Sequence, residues 1–187
     1  MKRKKYAFPA CLTAEDIRTF RKQGRLTQQE LADGIGVSKK TVERWEEGEN
    51  PITGPVVPLL MILQEQRGLL QSYEIPLRTT PLRLLYMFRR QLCTIIDVDE
   101  RTQSVEIRNY TKLVQKRAFG RIESPTFEEY EAFLESRCFP RTRDKMKLIL
   151  KEMNLPFYDP LLIIEKTEGR MAEDEFWIRI ERIGEEK

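Results

Sequence analysis

The stretch of residues 26–48 constrains the fold most, because it encodes two short helices joined by a turn that forces them to cross. Thr27 and Ser38 are residue types that cap helix N-termini, and Glu30 completes a capping box with Thr27. Between the helices, Gly-Ile-Gly-Val at residues 34–37 supplies two residues able to take positive φ and two apolar anchors. The pattern predicts a helix-turn-helix unit.

The second helix of this unit, at residues 39–45, has two chemically different sides. Val42 and Trp45 lie three positions apart and form an apolar side. The residues that project the other way are Lys39, Lys40, Thr41 and Arg44. An apolar inner side and a cationic outer side are what a helix needs to lie in the major groove of DNA.

Three short motifs follow one another through this unit: Gln-x-Glu-Leu-Ala at residues 28–32, Gly-Val-Ser at 36–38 and Trp-Glu-x-Gly at 45–48. With these motifs, residues 13–63 resemble the Cro/cI-like (XRE) helix-turn-helix family. The Gly/Pro-rich loop and apolar helix at residues 48–63 look like those of family members that serve as antitoxins or their relatives. The resemblance implies a sequence-specific regulator that binds double-stranded DNA.

The resemblance also implies roles for individual residues of the unit. Base reading is implied for Lys39, Lys40, Thr41 and Arg44. Gln28 and Ser38 are implied to hold phosphate oxygens at the starts of their helices. For Lys39 and Lys40 a phosphate contact is the open alternative, whereas the planar fork of Arg44 favours a guanine base.

A helix preceding the unit is predicted at residues 13–24, with Ile17 and Phe20 as its core residues. In the family that the chain resembles, an Arg at the position of Arg21 pairs with a Glu at the position of Glu46. We expect this ion pair to stabilise the fold and not to contact DNA, because removal of one partner of a partly buried pair is strongly destabilising.

The length of 187 residues leaves room for one ordinary domain or two small ones. We interpret the chain as a basic arm at 1–12, a helix-turn-helix domain at 13–68, a linker at 69–81 and a second domain at 82–187. The arm either reaches along a minor groove or phosphate backbone or is a solvated terminus. The last helix of the first domain must hold Pro55 or Pro58 in its first turn. Its expected core residues are Leu59, Leu60 and Leu63.

The second domain is predicted to combine strands and helices. Residues 92–98 and 105–110 are β-rich runs separated by a polar turn, which favours a hairpin, while residues 82–88 fit a strand or a helix equally. Helices are predicted at 126–137, 142–153 and 159–166, and a closing strand at 176–180. Their expected core residues are Phe127, Tyr130, Phe133, Leu134, Met146, Ile149, Leu150 and Met153. The predicted fold class is α+β, an all-α helix-turn-helix domain followed by a small α+β domain with a β-hairpin and three helices.

A second, weaker set of motifs lies in this domain: Arg-Cys-Phe-Pro-Arg at residues 137–141, Leu-Pro-Phe-Tyr-Asp-Pro at 155–160 and Ala-Glu-Asp-Glu-Phe-Trp at 172–177. With them, residues 92–181 look like a small module that accompanies HipA-type toxin proteins and mobile-element genes. The stretch holds no nucleotide-binding loop or kinase motif, so the resemblance implies no catalytic residue. A polar cluster here is either a binding surface or an internal ion-pair network: Arg137, Arg141, Arg143, Asp144 and Asp174.

Composition narrows the class of protein. The chain has no histidine, which removes His-based acid–base catalysis and most transition-metal chemistry. Cys11, Cys93 and Cys138 are too few and too far apart for a disulfide framework or a four-cysteine zinc site, and they fit free thiols in a reducing cytoplasm. The longest uncharged run, at 50–64, contains three prolines and is too short to cross a bilayer.

Two acidic pairs are the remaining candidates for a magnesium site, Asp97 with Asp99 and Glu173 with Asp174. Hairpin turns and strand starts commonly carry such residues as solvated charges. We therefore expect no enzyme activity, no cofactor and no metal ion.

Charge and site geometry together suggest how such a chain works. Residues 1–45 carry 11 Lys and Arg against 5 Asp and Glu, which suits a phosphate-facing surface. A single helix-turn-helix unit makes few contacts, so useful specificity requires two copies. We expect a homodimer on an inverted-repeat operator, with recognition helices about 34–36 Å apart.

The expected function is an autorepressor from a phage, plasmid or toxin–antitoxin locus, whose residues 82–187 dimerise or bind a protein partner such as a toxin. The alternative is an anti-CRISPR-like inhibitor of a defence nuclease that carries an autoregulatory helix-turn-helix domain. Residues 78–121 hold 10 Lys and Arg against 4 Asp and Glu. Such a surface suits competition at a nucleic-acid channel or additional contacts to operator DNA.

Overall fold

The computed structural model describes residues 6–66 and 68–183. The chain divides between Ile75 and Pro76 into two units, which are described separately below. This division falls within the stretch interpreted as a linker, residues 69–81. The basic residues of the predicted arm, Lys2 to Lys5, lie outside the described residues.

Helices build the described part of the first unit. They are α1 (Ala14–Gln23), α2 (Gln28–Ile35), α3 (Lys39–Glu47), α4 (Val56–Glu65) and the short α5 (Leu69–Ser72). Local capping sets where the first three begin: Thr13 with Asp16 and Thr27 with Glu30 form capping boxes, and the Ser38 hydroxyl accepts from the Thr41 amide. The predicted starts of these helices are confirmed.

Only one of the two glycines predicted in the turn between α2 and α3 has a positive φ. Gly36 takes a left-handed conformation with φ 72°, which ends α2. Gly34 is helical, so the interpretation of both glycines as turn residues is wrong. At Gly34 a Cβ atom would lie 2.8 Å from the Leu70 side chain, so the absent side chain leaves room for α5.

The core of the first unit lies where α1 to α4 meet. Its buried residues are Leu12, Ile17, Leu31, Ala32, Val42, Ile52, Val57 and Leu60. Pro55 immediately precedes α4 and Pro58 lies in its first turn, as predicted. Leu63 packs against the core, but Leu59 is 38% exposed, so its assignment to the core is wrong. Adjacent helical positions point about 100° apart, and Leu60 takes the inward direction.

An antiparallel sheet forms the centre of the second unit. Its strands are β1 (Leu82–Phe88), β2 (Gln91–Asp99), β3 (Ser104–Asn109) and β4 (Phe176–Arg182), in the spatial order β3-β2-β1-β4. The predicted β2–β3 hairpin and the closing strand are confirmed. In the central register Leu84 lies opposite Ile96 on β2 and Ile180 on β4. Residues 82–86 are buried on both faces of the sheet. Their sequence therefore lacks the alternation of apolar and polar residues that would distinguish a strand from a helix.

Three α-helices pack on one face of this sheet: α6 (Phe127–Ser136), α7 (Met146–Glu152) and α8 (Pro160–Thr167). The capping box of Thr126 with Glu129 and the cap of Asp159 before Pro160 start α6 and α8 as predicted. Helix α7 begins at Met146 and not at residue 142. Lys145, just before it, has φ 58°, a left-handed conformation that does not occur within a right-handed helix. The observed architecture is α+β, in agreement with the predicted fold class.

The core of the second unit joins the helices to the sheet. Its fully buried members include Leu84, Ile96, Tyr130, Ile163, Ile164 and Ile178. Among the expected core residues of the helices, Phe133, Leu134 and Leu150 are buried, while Phe127, Met146 and Met153 pack at its edge. A smaller cluster of Leu85, Ile95 and Tyr110 covers the opposite face.

The polar cluster predicted in this unit separates into two groups. Arg137 is buried and donates to Asp174 at 2.6 and 3.0 Å and to the Gly169 carbonyl at 2.8 and 3.0 Å, which ties the end of α6 to the segment before β4. Arg141 pairs instead with Glu135 at 2.6 Å. The internal network therefore rests on Arg137 and Asp174.

Both residues of the first acidic pair have structural partners, and Asp174 of the second pair is bound by Arg137. Asp97 pairs with the buried Arg83 at 2.7 Å, and Asp99 accepts from the Arg101 amide at 3.0 Å in the hairpin turn. Over residues 6–66 and 68–183, no group of three or more Cys, Asp or Glu is placed to hold a metal ion. None of the described helices combines the length and apolar character needed to span a bilayer.

Candidate nucleic-acid interface

Helix α3 is anchored by one side and exposes the other. Val42 is fully buried and Trp45 packs at the edge of the first core. The side chains of Lys39, Lys40 and Arg44 are exposed, and Thr41 is half-buried. The inward direction of Val42 therefore sets the outward direction of the cationic residues, as the helical period requires.

An open groove runs along the outer side of α3. It is lined by Ser38, Lys40, Thr41, Glu43, Arg44, Glu47 and Gly48. The groove brings together three of the four residues predicted to read bases, namely Lys40, Thr41 and Arg44. Lys39 lies outside this lining.

Glu43 alters the electrostatics of this surface, and sequence reasoning missed it. The Lys39 ammonium lies 3.2 Å from Glu43 Oε1, one helical turn away. Exposed pairs of this kind contribute about 0.3–0.5 kcal/mol, so DNA phosphate can compete for the lysine. The spacing of four residues is a visible signal for such a pair. Lys40 and Arg44 have no ion-pair partner among the described residues, which leaves them as the available cations of the groove.

The Ser38 side chain forms hydrogen bonds within the protein. Its Oγ accepts from the Thr41 amide at 3.1 Å and lies 2.8 Å from the Thr41 hydroxyl. The hydroxyl groups of both residues therefore stabilise the start of α3. The backbone N–H groups at this helix start have no intrahelical acceptors, so a phosphate placed here meets the amides of Lys39 and Lys40 in addition to the positive end of the helix dipole.

Glu46 lies on the inner side of α3 and joins three helices. Arg21 of α1 donates to its carboxylate at 2.6 and 3.0 Å, and Gln28 of α2 donates at 2.8 Å. Arg18 donates to the backbone carbonyl of Glu46. The hydrogen bonds between the two side chains lower the pKa of the Glu46 carboxyl and raise the pKa of Arg21. The pair thus remains ionised and holds the recognition helix against α1 and α2.

Gln28 has a structural role in addition to the phosphate contact that was predicted for it. Its side-chain amide donates to Glu46, 18 positions further along the chain. Gln28 is also the first residue of α2, where the backbone N–H has no intrahelical acceptor. The side chain therefore orients α3, and the backbone amide is the group positioned for phosphate. Arg18, three residues before Arg21 on α1, is a further contributor that the sequence analysis missed.

Comparison with known families identifies part of this unit. Residues 17–61 match the family model described as Helix-turn-helix, which is of the XRE type, so the resemblance to Cro/cI-like proteins is confirmed for this segment. The match runs from α1 to α4 and contains the whole α3 surface. It supports a DNA-binding regulator. Comparison of the chain with curated proteins and with solved structures finds no match. The weaker resemblance of residues 92–181 stays a prediction.

Proposed function

We propose that this protein is a sequence-specific DNA-binding regulator that represses its own operon, within a phage, plasmid or toxin–antitoxin locus. The observation that carries the proposal is the two-sided placement of α3. Val42 is fully buried on one side, and Lys40 and Arg44 are exposed on the other, within a segment that matches helix-turn-helix proteins. This combination presents cations to DNA without disturbing the core.

In the proposed complex α3 lies in the major groove. Arg44 donates through its guanidinium fork to guanine O6 and N7, and Lys40 and Thr41 contact bases or the adjacent phosphates. The amides at the starts of α2 and α3 hold phosphates on either side of the groove. Lys39 exchanges its contact with Glu43 for a contact with DNA.

Two copies of the chain act together on the DNA. One α3 reads only a few base pairs, so a homodimer on an inverted repeat gives the specificity that a repressor needs. The second unit supplies the dimer contact or receives a protein partner. Its separate core allows it to be a folding unit with its own binding role.

Footprinting of the full-length protein on the DNA upstream of its own gene tests this proposal. We expect one protected segment with two half-sites related by two-fold symmetry, about 10–10.5 base pairs or a multiple of that apart. Protection of a single half-site by one protein copy would contradict the dimer. Absence of a preferred segment would contradict sequence-specific regulation.

A further inference from the structure

Strand β3 forms one edge of the sheet in the second unit, and β4 forms the other. Just after β3, the Tyr110 amide donates to the Cys93 carbonyl of β2 at 2.8 Å. Alternate residues of an antiparallel strand turn their backbone groups to opposite sides, so those of Val105, Ile107 and Asn109 point away from β2. Among the described residues these backbone groups have no hydrogen-bond partner. Strand β3 therefore presents an open row of donors and acceptors.

The two edges of the sheet differ in how they are protected. On β4, the Ile178 amide donates to the Glu168 carbonyl just after α8, at 2.7 Å. On β3, the sequence Ser-Val-Glu-Ile-Arg-Asn contains neither Pro nor Lys, and the register with β2 runs without a bulge. Such residues and bulges are what normally prevent an exposed edge from pairing with another strand. The edge at β3 is therefore suited to receive a further strand.

The side chains of β3 match a second copy of the same strand. Val105 and Ile107 pack toward the core beneath the sheet, so Glu106 and Arg108 lie on the opposite face. Glu106 lies directly opposite Asp97 of β2 and takes part in no ion pair between described residues. Like charges in opposed positions destabilise a sheet, so a cation on the outer side of Glu106 would be stabilising. Strand β3 carries such a cation itself, two positions further on.

We infer that β3 pairs antiparallel with β3 of a second copy about a two-fold axis at Ile107, which joins the two sheets into one. In this register Ile107 lies opposite the partner subunit's Ile107, and Val105 lies opposite the partner subunit's Asn109. Each opposed pair exchanges both of its backbone hydrogen bonds. Glu106 meets the partner subunit's Arg108 at a position without backbone bonds, where Cα atoms are about 4.5 Å apart and side chains are closest. The inference rests on the proposed function, which requires a two-fold dimer.

Charge distinguishes this register from the neighbouring ones. The outward backbone groups belong to alternate residues, so the two strands can shift only in steps that keep these residues opposite one another. An axis at Glu106 would place two carboxylates opposite each other, and an axis at Arg108 would place two guanidinium groups opposite each other. Both arrangements are destabilising. The axis at Ile107 instead pairs each Glu106 with an Arg108 and adds an apolar contact at the centre.

Sedimentation equilibrium of the full-length protein over a concentration series tests the inference. We expect the wild type to reach twice the 22.2 kDa mass of one chain. Glu106→Arg places cation opposite cation, and Arg108→Glu places carboxylate opposite carboxylate, so each variant alone should dimerise at least about tenfold more weakly. Glu181→Arg and Arg179→Glu make the same charge changes on β4 and are the matched controls. These controls should change the dimerisation constant less than about twofold.

An equal mixture of Glu106→Arg and Arg108→Glu separates loss of pairing from damage to the fold. In a mixed dimer, each cationic position of one variant lies opposite an acidic position of the other. We therefore expect the mixture to dimerise at a concentration at which each variant alone is monomeric. The double variant Glu106→Arg with Arg108→Glu should likewise regain dimerisation, because the exchanged charges again lie opposite one another.

Three results would overturn the inference. They are a monomeric wild type throughout the series, a mixture that stays monomeric, and an equal loss of dimerisation in the β4 controls. Footprinting on the upstream DNA, measured in parallel, distinguishes this failure from failure of the regulator proposal. A protected DNA segment with a monomeric wild type would reject the edge pairing alone. A dimer that obeys the charge exchange but prefers no DNA segment would reject the regulator alone.

Discussion

Arg21 and Glu46 form a bidentate ion pair, with Nε donating to Oε1 at 2.6 Å and Nη2 donating to Oε2 at 3.0 Å. Glu46 is 5% exposed, and Gln28 adds a further hydrogen bond from α2. The pair lies on the inner side of α3, whereas Arg44 is exposed on the outer side. Two arginines of the same unit therefore have separable roles: one holds the helices together and the other is available to a ligand.

Arg21→Ala is expected to unfold the first unit at lower temperature. The substitution leaves the buried Glu46 carboxylate without its main partner, which costs about 3–5 kcal/mol of unfolding free energy. Thermal denaturation followed by circular dichroism measures the effect. Lys22→Ala, at the exposed neighbouring position on α1, is the matched control and is expected to change stability by less than about 0.5 kcal/mol. Equal melting temperatures for the two variants would contradict the role of the pair.

The stability of the first unit is expected to depend on pH through Glu46. Hydrogen bonding to Arg21 lowers the pKa of Glu46 below its ordinary 4.5. A carboxyl whose pKa is lower in the folded than in the unfolded protein contributes stability that is fully present above the unfolded pKa. This stability is lost as the pH falls through the folded pKa.

Glu46→Gln provides the comparison for this pH dependence. Glutamine keeps the shape of the side chain and cannot ionise, so we expect a lower melting temperature at pH 7 and a shallower decline below about pH 4.5. Carboxyls at the helix starts, such as Asp16 and Glu30, contribute equally to both proteins. Melting temperatures recorded from pH 7 to pH 3 test this expectation, and parallel curves for the two proteins would contradict it.

Arg44→Ala is expected to weaken specific DNA binding without altering stability. Loss of a bidentate contact to guanine costs about 1–3 kcal/mol of discrimination, or roughly five- to 150-fold in affinity for the native site. The side chain is exposed and has no ion-pair partner among the described residues, so the melting temperature should not change. Lys151→Ala removes one positive charge from an exposed position on α7 and serves as the control in the same gel-shift titration.

Glu43→Gln is expected to strengthen DNA binding. The change removes a negative charge from the groove along α3 and releases Lys39 from its 3.2 Å contact. Affinity should rise for both native and scrambled duplexes, and the dependence of affinity on salt should steepen by up to about one phosphate equivalent. Glu152→Gln, which makes the same charge change on α7, should leave binding unaltered. A loss of affinity in Glu43→Gln would instead indicate that Glu43 contacts a base.

Features set by neighbouring residues were predictable from sequence, and features set by tertiary contacts were not. The capping boxes at Thr27 and Thr126 lie within four residues of the groups they bind, so the starts of α2 and α6 followed directly. The start of α7 depends on the left-handed conformation of Lys145, for which the sequence carries no signal. Residues 82–86 are buried on both faces, which removes the alternation that distinguishes a strand.

The same division applies to the candidate site. The outer side of α3 follows from helical period, because Val42 and Trp45 fix the direction of Lys40 and Arg44. The hydrogen bond from Gln28 to Glu46 could not be predicted from the sequence, since the two residues are 18 positions apart and meet only where α2 and α3 cross. Tyr130 was expected in the core from its position on α6. That its hydroxyl has no hydrogen-bond partner within the described residues follows only from the packing around it.

A salt-dependent binding titration of the full-length protein tests the central claim most directly. It compares the DNA upstream of its own gene with a scrambled duplex of equal length, for the wild type and Arg44→Ala. We expect tight wild-type binding to the native duplex alone, a steep log–log salt slope, and loss of the preference in Arg44→Ala. Equal, weak binding of the wild type to both duplexes would contradict the claim that this chain is a sequence-specific regulator.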